Sequence, residues 1–173
     1  MREVARRPAA PNCAVIRGNA VWRIGGCTVP QTAVRPDGRQ LVIADVAFGG
    51  KPMITITSSS LSGVKGYTLT LPFTPRPIPS ASRESSRAAM QKSAEGAQLP
   101  PFPEFYDPIA GLIVSSNGEV WLTGSAPRGQ PRTLWRISTT GKVLGKVTLG
   151  NFTLEAASGD VLWGTAKDAD DVV

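Results

Sequence analysis

With no histidine among its 173 residues, the chain cannot build a histidine-based triad, a histidine general acid–base pair or a histidine-bearing zinc site. Two cysteines, Cys13 and Cys27, are too few for a cysteine-only tetrahedral zinc site. They can form one disulfide in an oxidising compartment or remain two buried thiols, and their spacing does not choose between these. Asp168, Asp170 and Asp171 crowd together but lack the glycine and closing glutamate of an EF-hand, so they read as a hydrated loop. Trp22, Trp121, Trp135 and Trp163 all lie in strand-like stretches. Their large flat surfaces, each with one N–H to satisfy, are expected to pack between sheets rather than to stack on sugars or bases.

The net charge of +6 is unevenly spread. Residues 1–40 hold seven arginines against Glu3 and Asp37, whereas the stretch from Asp160 onward holds four aspartates against Lys167. A nucleic-acid surface would cluster its cations with aromatic residues between them. Here the arginines alternate with apolar residues, as solvated strand positions do, so no nucleic-acid partner is expected. No apolar run approaches the length of a membrane span. Residues 1–7 are polar and basic, without the apolar stretch of a signal peptide, which leaves the compartment open: periplasmic or secreted if a longer N-terminus exists.

Any site must be positioned by β structure, because Gly and Pro are abundant (18 and 15) and favour turns over long helices. Four short β runs fall within residues 109–114, 119–123, 132–138 and 143–149, the first two joined at Asn117-Gly118 and the last two across Gly141. This predicts one antiparallel four-stranded sheet. The same order of turn, strand, loop, strand, turn and strand recurs from Thr32 to Leu71, with glycines at 38 and 63 in place of 118 and 141. A third start follows at Phe152, and its Gly159 lies 41 positions after Gly118, within the roughly 40–45 residues of a four-stranded propeller blade. Val21-Trp22-Arg23-Ile24 echoes Leu134-Trp135-Arg136-Ile137, as an outer strand of a preceding unit would. The organisation predicted is a remnant over 1–31, a unit over 32–73, an insertion over 74–108, a unit over 109–150 and a half unit over 151–173. Within the insertion, Pro75, Pro77 and Pro79 lead to one short surface helix over 83–92. Ser80 is its candidate N-cap and Glu84 lies near its positive end.

Pro36-Asp37-Gly38-Arg39 with Leu41-Val42-Ile43-Ala44-Asp45, and Asn117-Gly118-Glu119-Val120-Trp121-Leu122, resemble repeats of the six-bladed β-propellers of the NHL/TolB-like group. The proline-led helix followed by a fresh unit also resembles bacterial proteins described as six-bladed propellers. The resemblance covers residues 32–173 and implies an all-β propeller fragment of about two and a half blades, a binding or interaction scaffold without catalytic residues or cofactor. It implies that the loops at 48–52 and 124–130 and the approach at 104–108 gather on one face. There Lys51, Tyr106, Asp107 and Arg128 are the candidate ligand-binding residues, for a small ligand or a partner protein. The missing blades would come from a longer chain or from further copies in a homo-oligomer. The alternative is a fragment of a metal-dependent, lactonase-like propeller hydrolase. Its calcium ligands would lie in other blades, since the inner-strand residues Ala33-Val34 and Leu112-Ile113-Val114 offer no oxygen side chains.

A surface helix with a weak apolar stripe contributes little core. Replacing residues 83–96 by a short Gly/Ser linker is therefore expected to leave the β signal in circular dichroism intact, whereas complete unfolding would show the insertion to be part of the core.

Overall fold

The computed structural model describes residues 14–17, 20–23, 27–94, 99–127, 129–150 and 152–166, the first two ranges as backbone only. Among the described residues the fold is all-β with one helix. A first hairpin pairs β1 (Ala14–Arg17) with β2 (Ala20–Arg23). One four-stranded antiparallel sheet then runs in chain order through β3 (Gln31–Val34), β4 (Gln40–Ala47), β5 (Met53–Ser60) and β6 (Lys65–Pro72). After helix α1 (Ser80–Ser93), a second sheet of the same order holds β7 (Ile109–Val114), β8 (Val120–Gly124), β9 (Arg132–Ile137) and β10 (Val143–Leu149). A last antiparallel pair joins β11 (Phe152–Ser158) to β12 (Val161–Ala166).

Alternation decides how the sheets stack. On β4 and β5 the even-numbered Val42, Ala44, Ile54 and Ile56 are buried. They meet Ile109, Val114, Val120, Leu122 and Ile137 of the second sheet in the larger of two apolar clusters. The intervening Asp45, Thr55 and Thr57 lie on the opposite face, and Thr55 and Thr57 are paired in register with Thr70 and Thr68 of β6. β8 differs: all five of its residues are buried. Val120 and Leu122 face the first sheet, while Trp121 turns the other way and packs with Leu134, Ala157, Leu154 and Leu162. A strand covered on both faces loses the polar alternation of a half-exposed one. The first strands of the three units lie side by side, with β7 in contact with both β3 and β11.

All the tight turns between paired strands of the three units fall at one end. Three share Ser-x-x-Gly followed by a closing residue: Ser60 to Val64, Ser115 to Glu119 and Ser138 to Lys142. In each, the glycine N–H donates to the serine carbonyl and the serine N–H to the carbonyl of the closing residue. Asn117-Gly118 is thus part of a three-residue loop, Ser116-Asn117-Gly118, rather than a two-residue turn. The loop works because Gly118 takes φ +85°, which side chains with a Cβ resist. Equivalent turns also grip one another. Arg35 Nε donates to the Ser116 carbonyl at 3.0 Å, and the Ser116 and Ser158 hydroxyls are 3.1 Å apart. The Arg136 guanidinium forms a two-point pair with Glu119 (3.0 and 3.1 Å) and reaches Asp160 of the next turn. Hydrogen bonding to these two carboxylates, against a lesser opposing effect of burial, raises the guanidinium pKa further, so Arg136 stays charged.

Several expectations need correction. The helix runs from Ser80, not from 83, and Pro79 occupies the N-cap without a side-chain hydrogen bond; Ser80 is already helical, and the first turn holds no acid. Trp163 is 50% exposed, because its face of β12 has no covering sheet among the described residues, whereas Trp121 is buried. The side chain of Trp22 lies outside the described residues. Cys27 is disulfide-bonded, and Cys13, the other cysteine in the sequence, lies outside the described residues, as do Asp168, Asp170 and Asp171. No helix among the described residues is long and apolar enough to cross a membrane.

The turn glycines supply a matched test. Gly63 and Gly141 share a left-handed backbone (φ +86° and +84°). A Cβ on Gly63 would meet nothing within 4 Å, whereas one on Gly141 would lie 2.5 Å from the Tyr67 ring. Gly63→Ala is expected to cost the backbone term of roughly 1–2 kcal/mol. Gly141→Ala should cost about 1–3 kcal/mol more from overpacking, read as a lower urea midpoint. Equal midpoints would show that Tyr67 is not fixed against the Gly141 turn.

Candidate functional site

At the end opposite the tight turns, the longer connections converge. Phe48, in the β4–β5 loop, stacks on Phe105 at 5.2 Å between ring centroids and meets Phe73 edge-on at 5.5 Å. The Ser125 N–H, just beyond β8, donates to the Pro108 carbonyl at 2.8 Å. The two arms of the insertion also pair. Ile78 N–H donates to Glu104 and Tyr106 N–H to Arg76, at 2.8 and 2.9 Å, around an antiparallel bridge between Pro77 and Phe105. Prolines flanking Arg76 suit this extended arm, since they fix φ and carry no N–H to satisfy. The helix, with no residue of its own buried, is an excursion closed at its base by this ladder.

The ladder brings Arg76, Tyr106 and Asp107 into the lining of a cavity of about 250 Å³ between the two four-stranded sheets. Its apolar walls include Ile54, Phe73, Pro108 and Trp135, and its polar lining includes Thr74, Ser125 and Thr133. Trp135 closes one side by lying on Gly124, where a Cβ would approach its ring to 2.9 Å. The Arg76 guanidinium sits 4.1 Å from the centre of the Tyr106 ring, within range for a cation–π contact. Asp107 Oδ1 accepts the Ile109 N–H at 2.9 Å, which fixes the carboxylate at the start of β7. Burial raises the Asp107 pKa above the ordinary carboxylate value, and the Ile109 N–H partly offsets this.

Two of the four residues expected at this face, Tyr106 and Asp107, therefore share one cavity. Lys51 is exposed and is not part of the lining. Arg128 lies outside the described residues. Sequence reasoning missed Arg76, hidden in a proline-rich segment that reads as a lead into the helix, and it took Trp135 for core alone. The available signal was Pro75-Arg76-Pro77, a cation held between two extended-backbone residues. No three His, Cys, Asp or Glu side chains gather around a common point among the described residues. The arrangement offers a fixed carboxylate, a guanidinium and a phenol beside apolar walls, a set suited to holding a ligand by hydrogen bonds and shape.

A folded-state pKa above the ordinary value of 3.8 means that protonated Asp107 favours the folded chain. That contribution is full below pH 3.8 and is lost as pH rises through the raised folded value. Asp107→Asn keeps the acceptor for Ile109 N–H and removes the charge. It should flatten this part of the stability–pH curve and be at least as stable as the parent at pH 7, by denaturant midpoints at both ends of the range. A variant less stable at pH 7 with an unchanged pH profile would contradict the assignment. The site stands on its own geometry: no protein-family model and no curated protein matches the chain.

Proposed function

We propose that this chain is a non-catalytic binding module built of propeller-type blades of the NHL/TolB-like kind. Its ligand site is the cleft between the two four-stranded sheets. The observation that carries this reading is the grouping of Arg76, Tyr106 and Asp107 over a cavity walled by Trp135, Phe73 and Ile54. Small-molecule sites combine mostly apolar walls with a few placed polar groups. About 250 Å³ is small, so the occupant is a compact molecule or one protruding side chain of a partner. It should have an apolar body and both hydrogen-bond donor and acceptor groups. The blade reading draws support from the strand order of both sheets, from the adjacency of β3, β7 and β11, and from the interlocked equivalent turns.

Titrating a library of small polar fragments against the isotope-labelled chain tests the site, with the Trp135 indole resonance as reporter. Saturable shifts at Trp135 and Tyr106 are expected. Arg76→Gln should weaken them at least roughly tenfold, the scale of one lost charged hydrogen bond. Fragments that bind elsewhere, or that ignore Arg76→Gln while the fold is retained, would remove this cleft as the binding site.

A further inference from the structure

Arg76 and Asp107 bring opposite charges into the lining of one small cavity without pairing there. Among the described residues neither belongs to an ion pair. Each is held in place by a different contact. The Arg76 guanidinium lies against the face of Tyr106, 4.1 Å from the ring centre, and donates no hydrogen bond to a described residue. Stacking of this kind uses the flat face of a guanidinium and leaves its forked N–H edge for a carboxylate. Asp107 commits Oδ1 to the Ile109 N–H, while Oδ2 has no partner among the described residues. Burial raises the Asp107 pKa, as it does for a carboxylate that has no cation beside it. Next to the two charges stand the apolar walls of Ile54, Phe73 and Trp135.

We propose that the cleft binds a free α-amino acid with a small aliphatic side chain. Its carboxylate meets the Arg76 fork, its ammonium meets Asp107, and its side chain lies against Trp135, Phe73 and Ile54. The proposal rests on the cleft being the ligand site and adds the class of ligand to that reading. A ligand with a single charge would pair one of the two groups and bury the other without a partner, a costly outcome. A neutral ligand would do this to both. An α-amino acid carries its two charges on one carbon, which matches two groups that share a cavity but do not pair with each other. An ammonium beside Asp107 also favours the charged carboxylate, offsetting what burial costs it. The cavity volume of about 250 Å³ limits the apolar part to a short side chain.

L-Leucine is the probe, titrated against the isotope-labelled chain with the Trp135 indole resonance as reporter. Isopentylamine, which lacks the carboxylate, and isocaproate, which lacks the ammonium, are titrated beside it. L-Leucine is expected to bind at least roughly tenfold more tightly than either, the scale of one lost charged hydrogen bond. This comparison uses the parent chain and needs no variant. Arg76→Gln should then abolish the advantage over the amine and keep the advantage over the acid. Asp107→Asn should do the reverse. The crossed pattern separates two ligand contacts from a general loss of structure, because each variant retains one preference. Equal affinity for the three compounds, or loss of both preferences in a variant that keeps its fold, would overturn the α-amino acid. So would silence of L-leucine while other polar fragments shift Trp135 and respond to Arg76→Gln; the cleft would then stand as the site of another ligand. If no fragment shifts Trp135, the cleft itself falls and the proposal with it.

Discussion

The fold depends on β8 being covered on both faces. Five consecutive buried residues, Val120 to Gly124, leave no side of the strand for water. The first sheet must therefore lie on one side and the β11–β12 pair on the other. A single four-stranded sheet could hide Leu122 or Trp121 but not both, so stacking of successive units is a condition for burying this strand. The polar contacts at the turn end fit the same requirement. Glu119, next to β8, is held by Arg136 of β9, which also reaches Asp160 in the next sheet's turn. The Arg136–Glu119 pair is mostly shielded, with 26% and 12% of the side chains exposed. It has two-point geometry, the arrangement in which a guanidinium–carboxylate pair best offsets its desolvation.

The strands were largely legible because local and global preferences agree in them. Ile54-Thr55-Ile56-Thr57 alternates by two, and the structure buries the isoleucines and leaves the threonines on the other face. The turns were legible from their glycines, although three of them are three-residue loops defined by a serine hydroxyl as well as a glycine: Ser60 and Ser138 Oγ accept the closing N–H, and Ser115 Oγ donates to the closing carbonyl. Trp163 was misjudged for a physical reason. Alternation shows which side chains share a face but not whether another sheet covers that face. Trp121 and Trp163 look alike in sequence, yet only the first has a neighbouring sheet among the described residues.

The site was legible only in part, because it is made by long-range pairing. Tyr106 and Asp107 could be placed at the approach to β7, where Asp107 secures the first strand by accepting the Ile109 N–H. Arg76 reaches them only because the two arms of the insertion pair across the base of the helix, thirty residues apart in sequence. Neither arm has the length or alternation of a strand. An aromatic contact, Phe48 on Phe105, ties one of these arms to the β4–β5 loop.

The two ends of the stacked sheets do different work, and the hydrogen bonding shows why. At the turn end, short loops spend their backbone groups on one another and their side chains on neighbouring turns, through Arg35 with Ser116, Ser116 with Ser158 and Arg136 with Asp160. Little remains there to meet a ligand. At the opposite end the chain must cross from sheet to sheet, and its loops meet through aromatic rings and proline-containing arms that leave side-chain polar groups uncommitted. The Tyr106 ring supports Arg76 by its face, and Asp107 uses one carboxylate oxygen for Ile109. A rigid end and an end with spare hydrogen-bonding capacity follow from the same up-and-down strand order, and binding residues belong on loops that a rigid scaffold positions. The cleft lies where it does because the second strand of each unit, coming down from its tight turn, delivers its loop to that end.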